Sequence, residues 1–244
     1  MEQANLIEIF ESLQGEGPYA GEPMVFVRFQ GCALACAFCD TPASFETHPQ
    51  FRVERSPRTA EFIQFPNPVS PKALSELVAG FKAKTLSVTG GEPLHQASFL
   101  KAWLPLTEKE NRVLLETNGV LVEELKQIID GVDIISMDIK LPSATGTRAY
   151  WEEHAAFLEV ARQKEVYVKV VLVDSTSPED LESAIQLVQR YVPEAPFILQ
   201  PVTPHGPIQE TIRKDYLQEL FELSQRHLSD VRIVPQLHVQ WGIL

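Results

Sequence analysis

Only three cysteines occur in this 244-residue chain, and they fall within eight consecutive positions: Cys32, Cys36 and Cys39, in the stretch GCALACAFCDT. Cysteine thiolates hold zinc ions and iron–sulfur clusters. A structural zinc site is almost always closed by four protein ligands, commonly from paired C-x-x-C knuckles. Here the spacing is C-x3-C-x2-C, and the next histidine, His48, lies nine residues beyond Cys39. Three thiolates with an empty fourth place suit a [4Fe–4S] cluster that leaves one iron for a small molecule. An odd, clustered set also argues against a disulfide framework, which uses paired cysteines spread along the chain.

Other stretches carry side chains suited to ligand binding. SVTGGEPLHQ (87–96) places Gly90 and Gly91 at the end of an apolar run, where the missing Cβ atoms let backbone approach a ligand closely. Taken alone, TGGEP is equally a strand-to-helix turn with Pro93 at a helix start. MDIKLPS (137–143) sets Asp138 and Lys140 two residues apart, on one side of an extended backbone; the plain alternative is a strand-end ion pair of little worth if exposed. ETNG (116–119) occupies the corresponding place after an earlier run. Near the N-terminus, QGEG (14–17) is a tight turn, and Arg28 interrupts the apolar run MVFVRFQG. A buried, unpaired arginine is costly, so Arg28 should face a carboxylate or an anionic ligand.

The elements that must position these residues are legible from hydrophobic runs. Continuous apolar, β-branched stretches at 24–31, 85–91, 112–119, 132–140, 166–173, 196–202 and 231–239 read as strands buried on both faces. Helical periods lie between them: after Ser70-Pro71, after Ser177-Pro178 with Asp180 placed for a capping-box contact, and over 121–130 and 212–228. Alternating strands and helices predict an α/β fold with a parallel sheet wrapped by helices. About six or seven such units fall short of an eight-unit barrel of ~250 residues, so a partial, open βα barrel of about six units is expected. Ligands of such folds bind at the carboxyl ends of the strands, where nearly every unusual pattern here sits. The whole chain, 1–244, reads as a single domain, with the proline-rich segment 42–70 as an inserted excursion or lid.

Charge narrows the partners. Twenty-one basic against thirty-three acidic residues give a formal net charge of −12, which repels nucleic acid and anionic membranes where no basic cluster exists. No run approaches the roughly eighteen apolar residues of a membrane span. The acidic start MEQANLIEIF is unlike a secretory signal, so a cytoplasmic location is expected.

The cysteine spacing, with Phe38 directly before Cys39, resembles that of the radical S-adenosylmethionine (SAM) enzymes. In that superfamily the unique iron of the [4Fe–4S] cluster is chelated by SAM, whose reductive cleavage gives a 5′-deoxyadenosyl radical. The resemblance implies SAM contacts at Phe38, Cys39 and Asp40, at Gly91 and Glu92, and at Asp138, Ile139 and Lys140. LQGEG, RFQGC, the Asp-Thr after the third cysteine, TGGEP and the C-terminal PQLHVQWG together resemble the 7-carboxy-7-deazaguanine synthases, nearly end to end, with 42–70 the least similar portion.

That family resemblance implies conversion of 6-carboxy-5,6,7,8-tetrahydropterin to 7-carboxy-7-deazaguanine. The radical abstracts hydrogen at C6, the ring contracts, ammonia is lost and SAM is used catalytically. The product feeds 7-deazapurine synthesis, chiefly the queuosine pathway of tRNA modification, with no direct contact to tRNA. The implied substrate contacts are Leu13, Gln14, Gly15, Glu16, Arg28 and Thr89. Gln14 offers both donor and acceptor to a pterin edge, and Arg28 is a forked donor suited to a carboxylate. Thr41 matches the Mg²⁺ ligand; the plain alternative is a cap before Pro42. No side chain is expected to act as a catalytic acid or base, since the radical is carried by SAM. A reductant such as flavodoxin or ferredoxin and a homodimeric state are also implied.

Gln200, His205, Gln236 and His238 stand as candidate substrate contacts or, with equal claim, as satisfied polar groups. Trp103, Trp151 and Trp241 read as packing residues. Two other functions share parts of this pattern: a glycyl-radical-enzyme activase, which would not need QGEG with Arg28, and a non-enzymatic zinc or iron–sulfur module.

Overall fold

The computed structural model describes residues 2–205 and 208–243. Its strands are β1 (Leu6–Leu13), β2 (Pro23–Phe29), β3 (Gln50–Glu54), β4 (Phe62–Pro66), β5 (Thr85–Gly90), β6 (Arg112–Thr117), β7 (Ile134–Asp138), β8 (Glu165–Leu172), β9 (Phe197–Pro201) and β10 (Val231–Ile233). They form one ten-stranded sheet in the order β10-β9-β8-β7-β6-β5-β2-β1-β3-β4. From β2 through β10 the seven neighbours run parallel, as strand–helix alternation requires. The α-helices are α1 (Pro71–Val78), α2 (Ala97–Trp103), α3 (Val122–Ile128), α4 (Pro142–Thr145), α5 (Trp151–Ala161), α6 (Pro178–Tyr191), α7 (Lys214–Gln225) and α8 (Leu237–Trp241). Neither end strand, β10 or β4, pairs with the other, so the barrel is partial and open, as expected.

Strand periodicity separates two interiors. Outward-facing Val25, Val27, Leu86, Val88, Leu115, Ile135, Val168, Val170 and Leu199 pack with helix residues such as Leu100, Trp103, Leu125, Phe157 and Ile185. Inward-facing Phe10, Met24, Phe26, Leu114, Ile134, Tyr167 and Ile198 form a second, smaller apolar layer across the inside of the barrel. Above that layer the same inward faces become polar, with Arg28, Thr89, Glu116, Ser136, Lys169 and Gln200 lining a cavity. The strands are therefore not apolar on both faces, as their composition predicts; one or two polar residues per strand enter the barrel because a ligand-sized space is kept there.

Other expectations are refined or corrected. The acidic N-terminal stretch contains a full strand, β1, antiparallel to β2; Glu8 and Glu11 obscure its period, but both are buried and bonded. Of the two readings of segment 42–70, the structure has the excursion: a β3–β4 hairpin extends the sheet beyond β1. QFRVE has the period-2 alternation of a short strand, whereas FIQFP lacks it and is a strand through its antiparallel pairing with β3. The run 231–239 is a strand only to Ile233; Pro235 cannot donate to a ladder, and a short helix follows. Asp180 makes no capping-box contact; its carboxylate accepts from the Ser143 N–H at 2.7 Å, while Ser177 alone caps α6. Trp103 is fully buried, whereas Trp241 is largely exposed and so is not a packing residue here.

Candidate active site

A cavity of about 470 Å³ opens along the carboxyl ends of the parallel strands. Its rim carries Cys32, Cys36 and Cys39 after β2, Gly90 and Gly91 after β5, Asn118 after β6, Asp138 and Lys140 after β7, and Gln236 and His238 after β10. Its floor is the β1–β2 connection, Leu13 to Glu16, which folds across the inside of the barrel. That connection is fastened to the C-terminal helix: Gly15 O accepts from the N–H of Leu237, the first residue of α8, at 2.9 Å. Gly17 packs so closely on Tyr167 that a Cβ there would come within 2.6 Å of the ring.

The cysteine loop is held from beneath. The Glu92 N–H donates to Gly31 O at 2.7 Å, and the Gly31 N–H donates to Ser44 O at 2.9 Å. A Cβ on Gly91 would lie 2.4 Å from Gly31 O, so the double glycine is what lets the β5 turn seat against the loop. Phe38 stacks its ring 5.4 Å from Lys140 Nζ. Burial pushes all three thiols above their ordinary range, and a nearby carboxylate adds to this for each: Glu92 for Cys32, Asp138 for Cys36 and Asp40 for Cys39. A cationic iron centre would offset that cost.

Four charges form a chain across the cavity. Lys140 Nζ lies 2.9 Å from Asp138 Oδ2; Lys169 Nζ lies 3.5 Å from the same oxygen and 2.5 Å from Glu16 Oε2. Burial opposes the charge on both lysines, but Asp138 beside Lys140, and Glu16 with Asp138 beside Lys169, raise them above the usual lysine range. Burial alone would raise Glu16; Lys169 and the amide of Gln236 overcome it, and Glu16 titrates below its ordinary value. Gln236 Nε2 donates both to Glu16 Oε1 at 2.9 Å and to Asp40 Oδ2 at 2.8 Å, joining the floor to the tail of the cysteine loop. Gln200 Nε2 donates to Glu16 Oε1 at 3.3 Å. Glu116 collects three donors, Gln14 Nε2, Ser87 Oγ and Thr89 Oγ1, at 2.7 to 2.9 Å. Thr41 Oγ1 donates to Asp40 Oδ1 at 3.1 Å and makes no cap bond to the 3-10 turn that it precedes.

Most residues singled out in the sequence meet at this cavity: Leu13, Gln14, Gly15, Glu16, Arg28, Cys32, Cys36, Phe38, Cys39, Asp40, Thr41, Thr89, Gly91, Asp138 and Lys140 all line it, as do Gln200, His205, Gln236 and His238. Glu92 and Ile139 do not. The Glu92 carboxylate is fully buried behind the wall, accepting from the Leu94 and Asn118 N–H groups and the Thr117 hydroxyl, and burial pushes its pKa up to about 7. It ties β5 to β6, so its carboxylate already has structural partners where the sequence reading expects a cofactor contact. Ile139 is buried with its N–H on Lys169 O. Lys169, Glu116 as the acceptor of three hydrogen bonds, and His154, whose Nε2 lies 3.2 Å from Asn118 O, were missed. Lys169 carries a usable signal: like Arg28, it is a charge inside an apolar run, VYVKVVLV. His154, on α5, carries none.

The model of the Radical SAM superfamily matches residues 26–188. A 7-carboxy-7-deazaguanine synthase from Geobacter sulfurreducens is 40% identical over 99% of this chain and 98% of its own length. The chain belongs to the 7-carboxy-7-deazaguanine synthase family. A second member of that family, from Methanopyrus kandleri, is 38% identical over 96% of this chain and 92% of its own. Among solved structures, QueE from Escherichia coli superposes with a TM-score of 0.62 at 20% identity, covering 97% of this chain and 95% of that one, which shows a common fold.

As a member of the 7-carboxy-7-deazaguanine synthase family, the chain is a radical SAM enzyme, and the family implies a [4Fe–4S] cluster and SAM. The residues present fit both groups. The three cysteines are unpaired and line one cavity, with the C-x3-C-x2-C spacing in place of the paired knuckles of a closed zinc site. Asp138 Oδ1 and Gln200 Oε1 are buried without partners although both residues line the cavity. Buried acceptors of this kind call for a ligand that donates hydrogen bonds. No helix among the described residues is long and apolar enough to cross a membrane.

Proposed function

We propose that the cavity binds 6-carboxy-5,6,7,8-tetrahydropterin and that the enzyme converts it to 7-carboxy-7-deazaguanine with loss of ammonia. The observation that carries this reading is the polar layer inside the barrel, Gln14, Glu16, Arg28, Glu116 and Gln200, in the same cavity as the three cysteines. Such a layer presents acceptors for ring N–H groups on one side and a cation for a carboxylate on the other.

When bound to the cysteines, the cluster with SAM supplies a 5′-deoxyadenosyl radical for hydrogen abstraction at C6, followed by ring contraction, with SAM regenerated. Gly91, Phe38, Asp40, Asp138 and Lys140 serve the SAM side, with Glu92 and Ile139 holding that wall from behind. Leu13 to Glu16 and Thr89 serve the pterin side, where Glu16 stays ionised because Lys169 compensates it. Arg28 receives the substrate carboxylate. Anaerobic incubation of the reduced holoenzyme with SAM and this pterin should yield a product with the mass of 7-carboxy-7-deazaguanine. No such product, with or without Mg²⁺, overturns the reading.

Thr41 is the proposed Mg²⁺ ligand, supported by a hydroxyl free of capping duty beside the Asp40 carboxylate. Mg²⁺ keeps several waters, so one hydroxyl plus substrate oxygens suffices. Thr41→Ala should leave iron content intact and flatten the rise of turnover with added Mg²⁺; an undiminished response removes Thr41 from the site. The same reading includes a flavodoxin- or ferredoxin-type reductant, a homodimer and a cytoplasmic setting without direct nucleic-acid contact, in keeping with the net charge of −12.

A further inference from the structure

The guanidinium that faces the cavity shares its carboxylate with a second arginine. Glu8 Oε1 accepts from Arg28 Nε at 2.8 Å, and Glu8 Oε2 accepts from Arg52 Nε at 2.8 Å and Nη2 at 2.5 Å. The Glu8 side chain is only 9% exposed, so these bonds are poorly screened. Arg52 comes from β3, in the 42–70 segment, and is braced by the Phe62 ring 4.3 Å from its guanidinium carbon. Among the described residues the two terminal nitrogens of Arg28 make no hydrogen bond; its Nε alone is engaged. Arg28 lines both the main cavity and a neighbouring groove that Glu8, Arg52 and His48 also line.

Charge arithmetic gives this arrangement a consequence. An arginine paired singly with a carboxylate presents no net charge to an incoming anion. Two arginines on one carboxylate leave one positive charge, and they leave the Arg28 fork free for bidentate contact. We propose that Arg52 is a positioning residue for substrate specificity: by holding Glu8 it keeps Arg28 oriented and effectively cationic toward the substrate carboxylate. This rests on the reading that Arg28 receives that carboxylate. It gives the inserted hairpin a duty at the active site, exerted through Glu8 without contact to the ligand.

The test is calorimetric titration of the cluster-loaded enzyme with SAM, using the carboxytetrahydropterin and its uncharged carboxamide as probes. Arg52→Gln should weaken carboxylate binding about ten-fold and leave the carboxamide unchanged, the scale expected for one unit charge removed at short range behind a partly solvated wall. The Arg52 side chain is 42% exposed, so this variant folds without a buried vacancy. Glu8→Gln combined with Arg52→Gln should recover most of the loss, because Arg28 then keeps its charge beside a neutral acceptor. Unchanged carboxylate binding in Arg52→Gln, equal weakening of both probes, or no recovery in the double variant overturns the proposal. An Arg28→Gln arm separates the premise: if that variant still prefers carboxylate over carboxamide as the wild type does, the reading of Arg28 itself fails. If Arg28→Gln loses the preference and Arg52→Gln keeps it, only the role of Arg52 fails.

Discussion

Replacing Cys32 with alanine abolishes cluster assembly and turnover together. Two remaining thiolates cannot hold a cluster that already spares one iron for SAM, and the sequence has no fourth cysteine to take the place. Cys32 sits half-buried in a loop beyond β2, where among the described residues its thiol makes one weak hydrogen bond, to Leu34 O at 3.5 Å. The sheet should therefore survive the change. Iron content and visible absorption should fall to background while far-ultraviolet circular dichroism stays that of the wild type. Turnover persisting in this variant removes Cys32 from the ligand set.

Lys169→Met is expected to have the second largest effect. It leaves the Glu16 carboxylate, otherwise held by Lys169, Gln200 and Gln236, without its paired cation. Removing one partner of a buried pair costs about 3–5 kcal/mol, or roughly a 10 °C fall in Tm for a chain of this size, and turnover should drop at least a hundred-fold because the pterin floor loses its fixed charge. The acid limb gives a signed check. Glu16 titrates below its ordinary value in the folded wild type, so its contribution is fully present above the unfolded value of 4.5 and is lost as pH falls through the lowered one. Without Lys169, burial makes Glu16 favour the protonated form, and the variant should gain relative stability on acidification. A Glu16→Gln/Lys169→Met double variant should recover most of the stability but not the activity. If thermal denaturation shows Lys169→Met as stable as wild type at neutral pH, the buried-pair account is wrong.

Much of the fold was legible because its signals are local. Ser70 and Ser177 cap α1 and α6 where helix-start chemistry places them, and the parallel strands follow from apolar runs separated by helical periods. Strand ends and turn glycines also point to the rim where the cavity opens. The misses share a different cause. β1 and β3 were hidden because Glu8 and Arg52 look like solvent-facing residues until each is seen to be the other's partner, 44 positions away. Glu92 reads as a cofactor-side residue because Gly90 and Gly91 beside it line the cavity; only the position of Asn118, just after the adjacent strand, turns its carboxylate inward.

By itself the sequence determined the chemistry available to this protein: three thiolates in one loop, glycines where backbone must come close, and charges inserted into apolar strands. Those are properties of residue type and short spacing, and short-range sterics and ligand preference act on them directly. The tertiary structure alone decided which charges neutralise one another. Glu16 meets Lys169 across 153 residues, Gln236 joins Glu16 to Asp40, and Glu8 divides itself between Arg28 and Arg52. Coulombic and desolvation energies depend on distances through the folded interior, which no spacing along the chain encodes.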